Sequence, residues 1–139
     1  MMKTDATREI TIIRYKNVPW EYPKHVSTED ISKAGAQKKS MLSDEQITQG
    51  EIKMLYLGKI RPGGSSIRHY HEDMTETYTV LEGEITFSID DAVFILNQYD
   101  MIIIPTLCQH QFSNKSENME AKYLVLGVST GENGKTIVV

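Results

Sequence analysis

The sequence predicts an all-β fold, a sandwich or closed barrel of short antiparallel strands. Three observations predict it. Apolar and polar residues alternate with period two, most cleanly from Glu84 to Ile89, where Ile85, Phe87 and Ile89 share one face and Glu84, Thr86 and Ser88 the other. Turn-forming clusters separate such segments at short intervals, and no stretch sustains a helical period. Many short strands with little helix leave a sandwich or barrel as the way to bury their apolar faces. At 139 residues the chain reads as one domain, 1–139, with a barrel core over about 38–129 and a lead-in over 1–37.

In chain order, Ile10 to Tyr15 reads as a first strand. Residues 17–36 read as irregular, interrupted by Pro19 and Pro23, with Ser27 to Asp30 placed to cap a short helical turn. The segments "QKKSML" (37–42) and "EIKMLYLGKI" (51–60) read as strands flanking the polar turn "SDEQITQG". In the second of them the inward register is Ile52, Met54, Tyr56, Gly58 and Ile60, because Lys53 and Lys59 occupy the other face. Asp90 and Asp91 form a hairpin turn between "EITFSI" and "AVFIL"; "NQYD" is a second turn, and Pro105 ends the strand "MIII". "AKYLVLGV" (121–128) is the last long strand.

Composition narrows the function classes. Apolar residues make up 40% and charged residues 24%, ordinary for a globular domain. Fifteen basic and nineteen acidic residues give a net charge of −4, and no block of Lys and Arg forms a stripe, so nucleic acid is not an expected partner. No apolar run approaches a membrane span, and the N-terminus has no apolar core of signal-peptide length. The single cysteine, Cys108, cannot make an internal disulfide. A cytoplasmic protein without membrane partners is the expectation.

The chemistry concentrates between residues 61 and 114. His69 and His71 are two positions apart, so a strand puts both imidazoles on one face, where a helix would throw them nearly opposite. Glu76 lies at odd separation from His71, and the polar "EDM" between them supplies a corner that resets the phase. Beyond it Glu76, Tyr78 and Val80 face inward and Thr75, Thr77 and Thr79 outward. An inward carboxylate is costly unless it is paired or binds a metal. His110, in register with Phe112 on "TLCQHQFSN", offers a third imidazole. Three neutral nitrogens and one anionic oxygen suit one first-row divalent transition ion (Fe, Mn, Ni or Zn) and leave positions for water or substrate. His25 has no partner spacing and reads as a surface residue, and Cys108 as a small buried hydrophobe.

These residues resemble the cupin superfamily. Its first motif, G-x5-H-x-H-x3–4-E-x6-G, is matched by Gly63, His69, His71, Glu76 and Gly83. Its second, G-x5-P-x-G-x2-H-x3-N, is matched by Pro105, His110 and Asn114, with Tyr99 and Leu107 standing where the two glycines would be. The resemblance implies a double-stranded β-helix, a jelly-roll β-barrel, with His69, His71, Glu76 and His110 as metal ligands. Small cupins like it commonly pair as dimers through sheet edges and N-terminal strands, so a homodimer involving the Ile10–Tyr15 strand is expected.

The expected pocket lining is Met54, Tyr56, Ile67, Tyr78, Phe87 and Phe112, with Glu76 and Tyr78 as acid/base groups and no Lys or Arg facing inward. A pocket without a fixed cation suits a metal-dependent enzyme acting on a small oxygen-bearing molecule, with the dioxygenase type preferred over an isomerase or lyase of sugar-like substrates. A non-enzymatic module binding a small ligand is the rival class, since one barrel serves both.

Overall fold

The structure, a computed structural model, describes residues 14–23, 35–42, 52–129 and 135–139. Within them lie β1 (Ala36–Leu42), β2 (Ile52–Ile60), β3 (His69–His71), β4 (Met74–Glu82), β5 (Ile85–Ile89), β6 (Ala92–Leu96), β7 (Met101–Ile104), β8 (His110–Ser113), β9 (Ala121–Ser129) and β10 (Thr136–Val138). They form two antiparallel five-stranded sheets among the described residues, ordered β1-β2-β9-β4-β7 and β10-β3-β8-β5-β6.

The period-two pattern explains how the sheets meet. Along β4, Met74, Glu76, Tyr78 and Val80 are buried and the threonines between them half-buried; β9 buries Ala121, Tyr123, Val125, Gly127 and Ser129 in the same way. The inward rows interlock as an aromatic cluster. Tyr78 of the first sheet packs on Phe87 and Phe112 of the second at 5.2 and 5.3 Å between ring centroids, and Phe112 on Tyr123 at 5.0 Å. Edge and tilted contacts of this kind add to the burial of large rings, and they fix the sheets face to face.

Backbone conformation carries the two motifs. Gly63 and Gly83 have φ of +73° and +79°, the left-handed region that glycine enters without penalty. Tyr99 and Leu107 occupy the same region at +69° and +68°, so the turns that bracket β7 keep the glycine geometry without glycine. Asp90, at φ +49°, makes the two-residue turn that sets Ile89 opposite Ala92. Asn114 is buried. Its amide donates to the carbonyls of Ile60 and Met119, and its side-chain oxygen accepts from the Ser116 amide, tying the loop after β8 to the end of β2.

Two expectations need correction or addition. Tyr15 does not end a strand but opens a 3-10 turn, Tyr15–Asn17, held by the Asn17 amide on the Arg14 carbonyl at 2.9 Å. Pro19 has no amide to give to a strand ladder, which disfavours continuing an extended pairing through this segment. Ile10 to Ile13, the turn at Ser27 to Asp30 and the segment 43–50 lie outside the described residues. The addition is β10, a three-residue strand that pairs with β3 and places Thr136 opposite His71. It is too short to show a period in sequence.

Candidate metal centre

The second sheet supplies the imidazoles. His69 and His71 share β3, and β8 sets His110 directly opposite His69. The first sheet supplies the carboxylate. β3 ends at His71 and β4 begins at Met74, so Glu72 and Asp73 form the corner, and Glu76 turns inward at 4% exposure. One donor atom from each of His69, His71, Glu76 and His110 lies within 4.8 Å of every other. Glu76 Oε1 is the focus: His71 Nε2 stands 2.7 Å from it, His110 Nε2 2.9 Å and His69 Nε2 3.9 Å.

The other ring nitrogens decide what this focus can hold. His69 Nδ1 donates to the Ile67 carbonyl at 2.8 Å, His110 Nδ1 to the Cys108 carbonyl at 2.9 Å, and His71 Nδ1 to the Lys135 carbonyl at 3.2 Å. A carbonyl oxygen can only accept, so each neutral ring carries its proton on Nδ1 and turns the Nε2 lone pair toward Glu76. Three lone pairs and a carboxylate around one buried point repel one another unless a metal ion or protons on Nε2 lie among them. Carbonyls that fix the tautomer and aim of each imidazole are the outer-shell pattern of metal-ligating histidines. The donor set of three imidazole nitrogens and one carboxylate oxygen therefore fits a first-row divalent ion.

The titration behaviour agrees. Burial alone would raise the Glu76 carboxyl, but hydrogen bonds from the imidazolium forms of His110 and His71, which carry a second proton on Nε2, outweigh it and hold Glu76 ionised, well below the usual carboxylate range. Burial and the neighbouring His110 push His69 down to about 4. For His71 burial is opposed by the hydrogen bond and charge of Glu76, and the net direction is upward. The cluster thus keeps one negative charge and draws a proton onto the imidazole closest to it. Tyr78 places its hydroxyl 3.5 Å from both Glu76 oxygens; burial, then the Glu76 charge, keep the phenol protonated far above its ordinary range.

The centre opens into a cavity of about 160 Å³. His69, His71, Glu76 and Tyr78 line it, with Met54, Tyr56, Ile67 and Phe112. Phe87 does not. It is fully buried behind Tyr78 and Phe112, because β5 lies on the far side of β8 from β3. The expectation of a lining without a cation is also overturned: Lys38 lies in the wall. β1 turns Ala36, Lys38 and Ser40 toward the cavity and Lys39 to its other face, where Lys39 is buried beneath Tyr15 and Trp20, donating to the Tyr15 carbonyl at 2.8 Å and sitting 3.5 Å over the Tyr15 ring. The adjacent pair Lys38-Lys39 held the signal, since on a strand one of two neighbouring lysines must face in. The Cys108 thiol stays outside the donor group; the residue contributes its carbonyl to His110.

Fold and site together define a small β-barrel with a candidate three-histidine, one-carboxylate metal centre between its sheets. The chain belongs to the cupin family: the family model described as Cupin domain matches residues 56–127, which include all four donor residues. No curated protein matches the sequence. Among solved structures it is similar to a polyketide cyclase, RemF, of Streptomyces resistomycificus, with TM-score 0.74 and 17% identity over 94% of this chain and 86% of that one. It is also similar to a predicted oxalate decarboxylase of Thermotoga maritima (TM-score 0.71, 20% identity, 86% and 99% of the two chains). A third is a cupin-superfamily sugar phosphate isomerase of Silicibacter pomeroyi (TM-score 0.70, 20% identity, 86% and 76%). At these identities the likeness is one of fold.

Proposed function

We propose that the protein is a metal-dependent cupin enzyme acting on a small oxygen-bearing organic molecule. The observation that carries this reading is the convergence of three Nε2 lone pairs and Glu76 Oε1, with every Nδ1 held by a backbone carbonyl, at the inner end of a cavity. A bound divalent transition ion would supply open coordination positions and Lewis acidity to a substrate's oxygen donors, and redox chemistry where the ion permits it. The chain's own residues do the rest. Met54, Phe112 and Val125 give the cavity an apolar wall, and Glu76 stays ionised.

A lining without a fixed cation would favour the dioxygenase type, and Lys38 removes that ground. Tyr78 favours the isomerase or lyase type instead. It is a buried phenol beside Glu76 on the cavity wall, placed to donate a hydrogen bond to a substrate oxygen and to stabilise charge that develops there. The named activities of the similar structures, on a sugar phosphate, oxalate and a polyketide, all concern oxygen-rich small molecules. Turnover of candidate oxygen chelators by the metal-loaded protein tests the reading. Loss of turnover in Glu76→Ala, with the fold retained, is the expected result; ligand binding without turnover in any assay would instead assign a non-enzymatic binding module.

We also propose a cytoplasmic homodimer. Among the described residues β6 and β7 end their sheets as edges, and Val93, Ile95, Met101 and Ile103 on them are exposed apolar side chains. Bare apolar edges invite unwanted pairing, and a second copy would cover them. The lone Cys108 makes no internal disulfide, which fits a reducing compartment.

A further inference from the structure

One wall of the cavity has no part in the centre described above. Lys38 reaches it from β1, with Nζ 3.4 Å from the Tyr56 hydroxyl and 4.4 Å above the Tyr56 ring centroid. β1 is separated from β4 by β2 and β9, so Lys38 and Glu76 rise from different parts of one sheet and flank the same space. We infer that Lys38 and Tyr56 form an anion-recognition point, and that the substrate is a small organic acid whose carboxylate docks there while its other oxygens face the His/Glu centre. This rests on reading the cavity as the substrate site of a metal centre.

Three features select that ligand class. The first is the cation itself. Burial lowers the Lys38 pKa from its ordinary value, and the charges of Glu21 and Glu76 act to keep the ammonium protonated. A half-buried ammonium on the wall is the cation nearest to hand for an anion that enters the same cavity. The second is the number of donors. One ammonium and one phenol hydroxyl match the two oxygens of a carboxylate. A phosphate dianion asks for more, typically the fork of an arginine, and the nearby carboxylates Glu76 and Glu21 oppose a second negative charge. The third is size. A cavity of about 160 Å³ is close to the roughly 150 Å³ that holds a benzene molecule, so the part of the ligand it surrounds is small. The apolar side chains between the two polar ends, Met54 and Val125 among them, suit a short carbon skeleton joining the carboxylate to the chelating oxygens.

A matched pair of probes tests this on the full-length, metal-loaded protein. Pentane-2,4-dione and 2,4-dioxopentanoate carry the same diketone, and the second replaces one methyl by a carboxylate. Calorimetry gives the affinity ratio of acid to diketone in the wild type, in Lys38→Met and in Tyr56→Phe. The acid preference is expected to fall at least about tenfold in Lys38→Met and by a smaller factor in Tyr56→Phe, with diketone affinity held within about twofold. An unchanged ratio in Lys38→Met would overturn the inference while leaving the metal centre standing. Failure of both probes to bind, or binding that chelation of the metal does not alter, would overturn the metal-centre reading and the inference with it. If Lys38→Met does not fold, Tyr56→Phe keeps the test open, since it removes one of the two donors and keeps the ring; an unchanged ratio there counts against the site.

Discussion

Replacing Tyr99 or Leu107 with glycine should stabilise this protein, against the usual effect of putting glycine into a folded chain. Both residues hold a left-handed backbone, at φ of +69° and +68°, which costs an L side chain about 1–2 kcal/mol. Both side chains are largely in solvent, Tyr99 at 73% and Leu107 at 63% exposure, so little burial is lost with them. The amides that matter survive the change: Tyr99 N–H donates to the Val80 carbonyl and Leu107 N–H to the His71 carbonyl, each at 2.7 Å. Against the relieved strain stands the greater freedom of glycine in the unfolded chain, about 0.5–1 kcal/mol. The net gain is about 0.5–1 kcal/mol at each site. With a urea m-value of about 1–3 kcal/mol/M, the midpoint of unfolding rises by roughly 0.2–1 M for each variant at constant m. The two positions bracket β7 from opposite ends, so the double variant should approach the sum. A midpoint that stays put or falls in both variants would refute the view that these turns hold strain where a glycine would not.

Other expectations follow from the same geometry. A Cβ at Gly58 would collide with the ring of Tyr123, which Phe112 and Tyr78 hold from its other sides, so Gly58→Ala should destabilise by about 1–3 kcal/mol despite alanine's better backbone propensity; a raised Tm would contradict it. Metal affinity should fall on the order of tenfold per pH unit once pH drops below the raised pKa of His71, because the ion must displace the proton from Nε2, the ligand atom, while Glu76 remains ionised; metal titrations between pH 8 and 5 that show constant affinity would count against the site. Light scattering should give the mass of two chains, and Ile103→Lys should lower it; a single-chain mass at every concentration would remove the dimer.

What could be read from the sequence was set by parity. The inward faces of β4 and β5, that of β2 from Met54 to Ile60, the Asp90-Asp91 hairpin and the convergence of His69, His71, Glu76 and His110 all follow from period-two alternation broken by turn residues; Ile52, expected inward, is exposed, because the register of β2 shifts between Ile52 and Met54. What escaped depends on which strand lies beside which. Phe87 has the inward parity of a lining residue, yet β8 stands between β5 and β3 and screens it from the cavity. Lys38 escapes a reading of β2 alone, although two adjacent lysines on the neighbouring strand cannot both turn away from the cavity. The carbonyl of Lys135 that orients His71 comes from beyond the last long strand, on a segment whose pairing leaves no periodic trace.

The most direct test of the account is elemental analysis of protein purified without a metal-affinity column, wild type beside Glu76→Ala. The account predicts close to one equivalent of a first-row divalent transition metal per chain in the wild type, or stoichiometric uptake when manganese, iron, nickel or zinc is offered. In Glu76→Ala it predicts uptake sharply weakened, with the urea midpoint of the metal-free form showing that the chain still folds. A wild type that carries no metal and takes up none of the four would contradict it. The three Nε2 atoms gathered around Glu76 would then be held by protons alone.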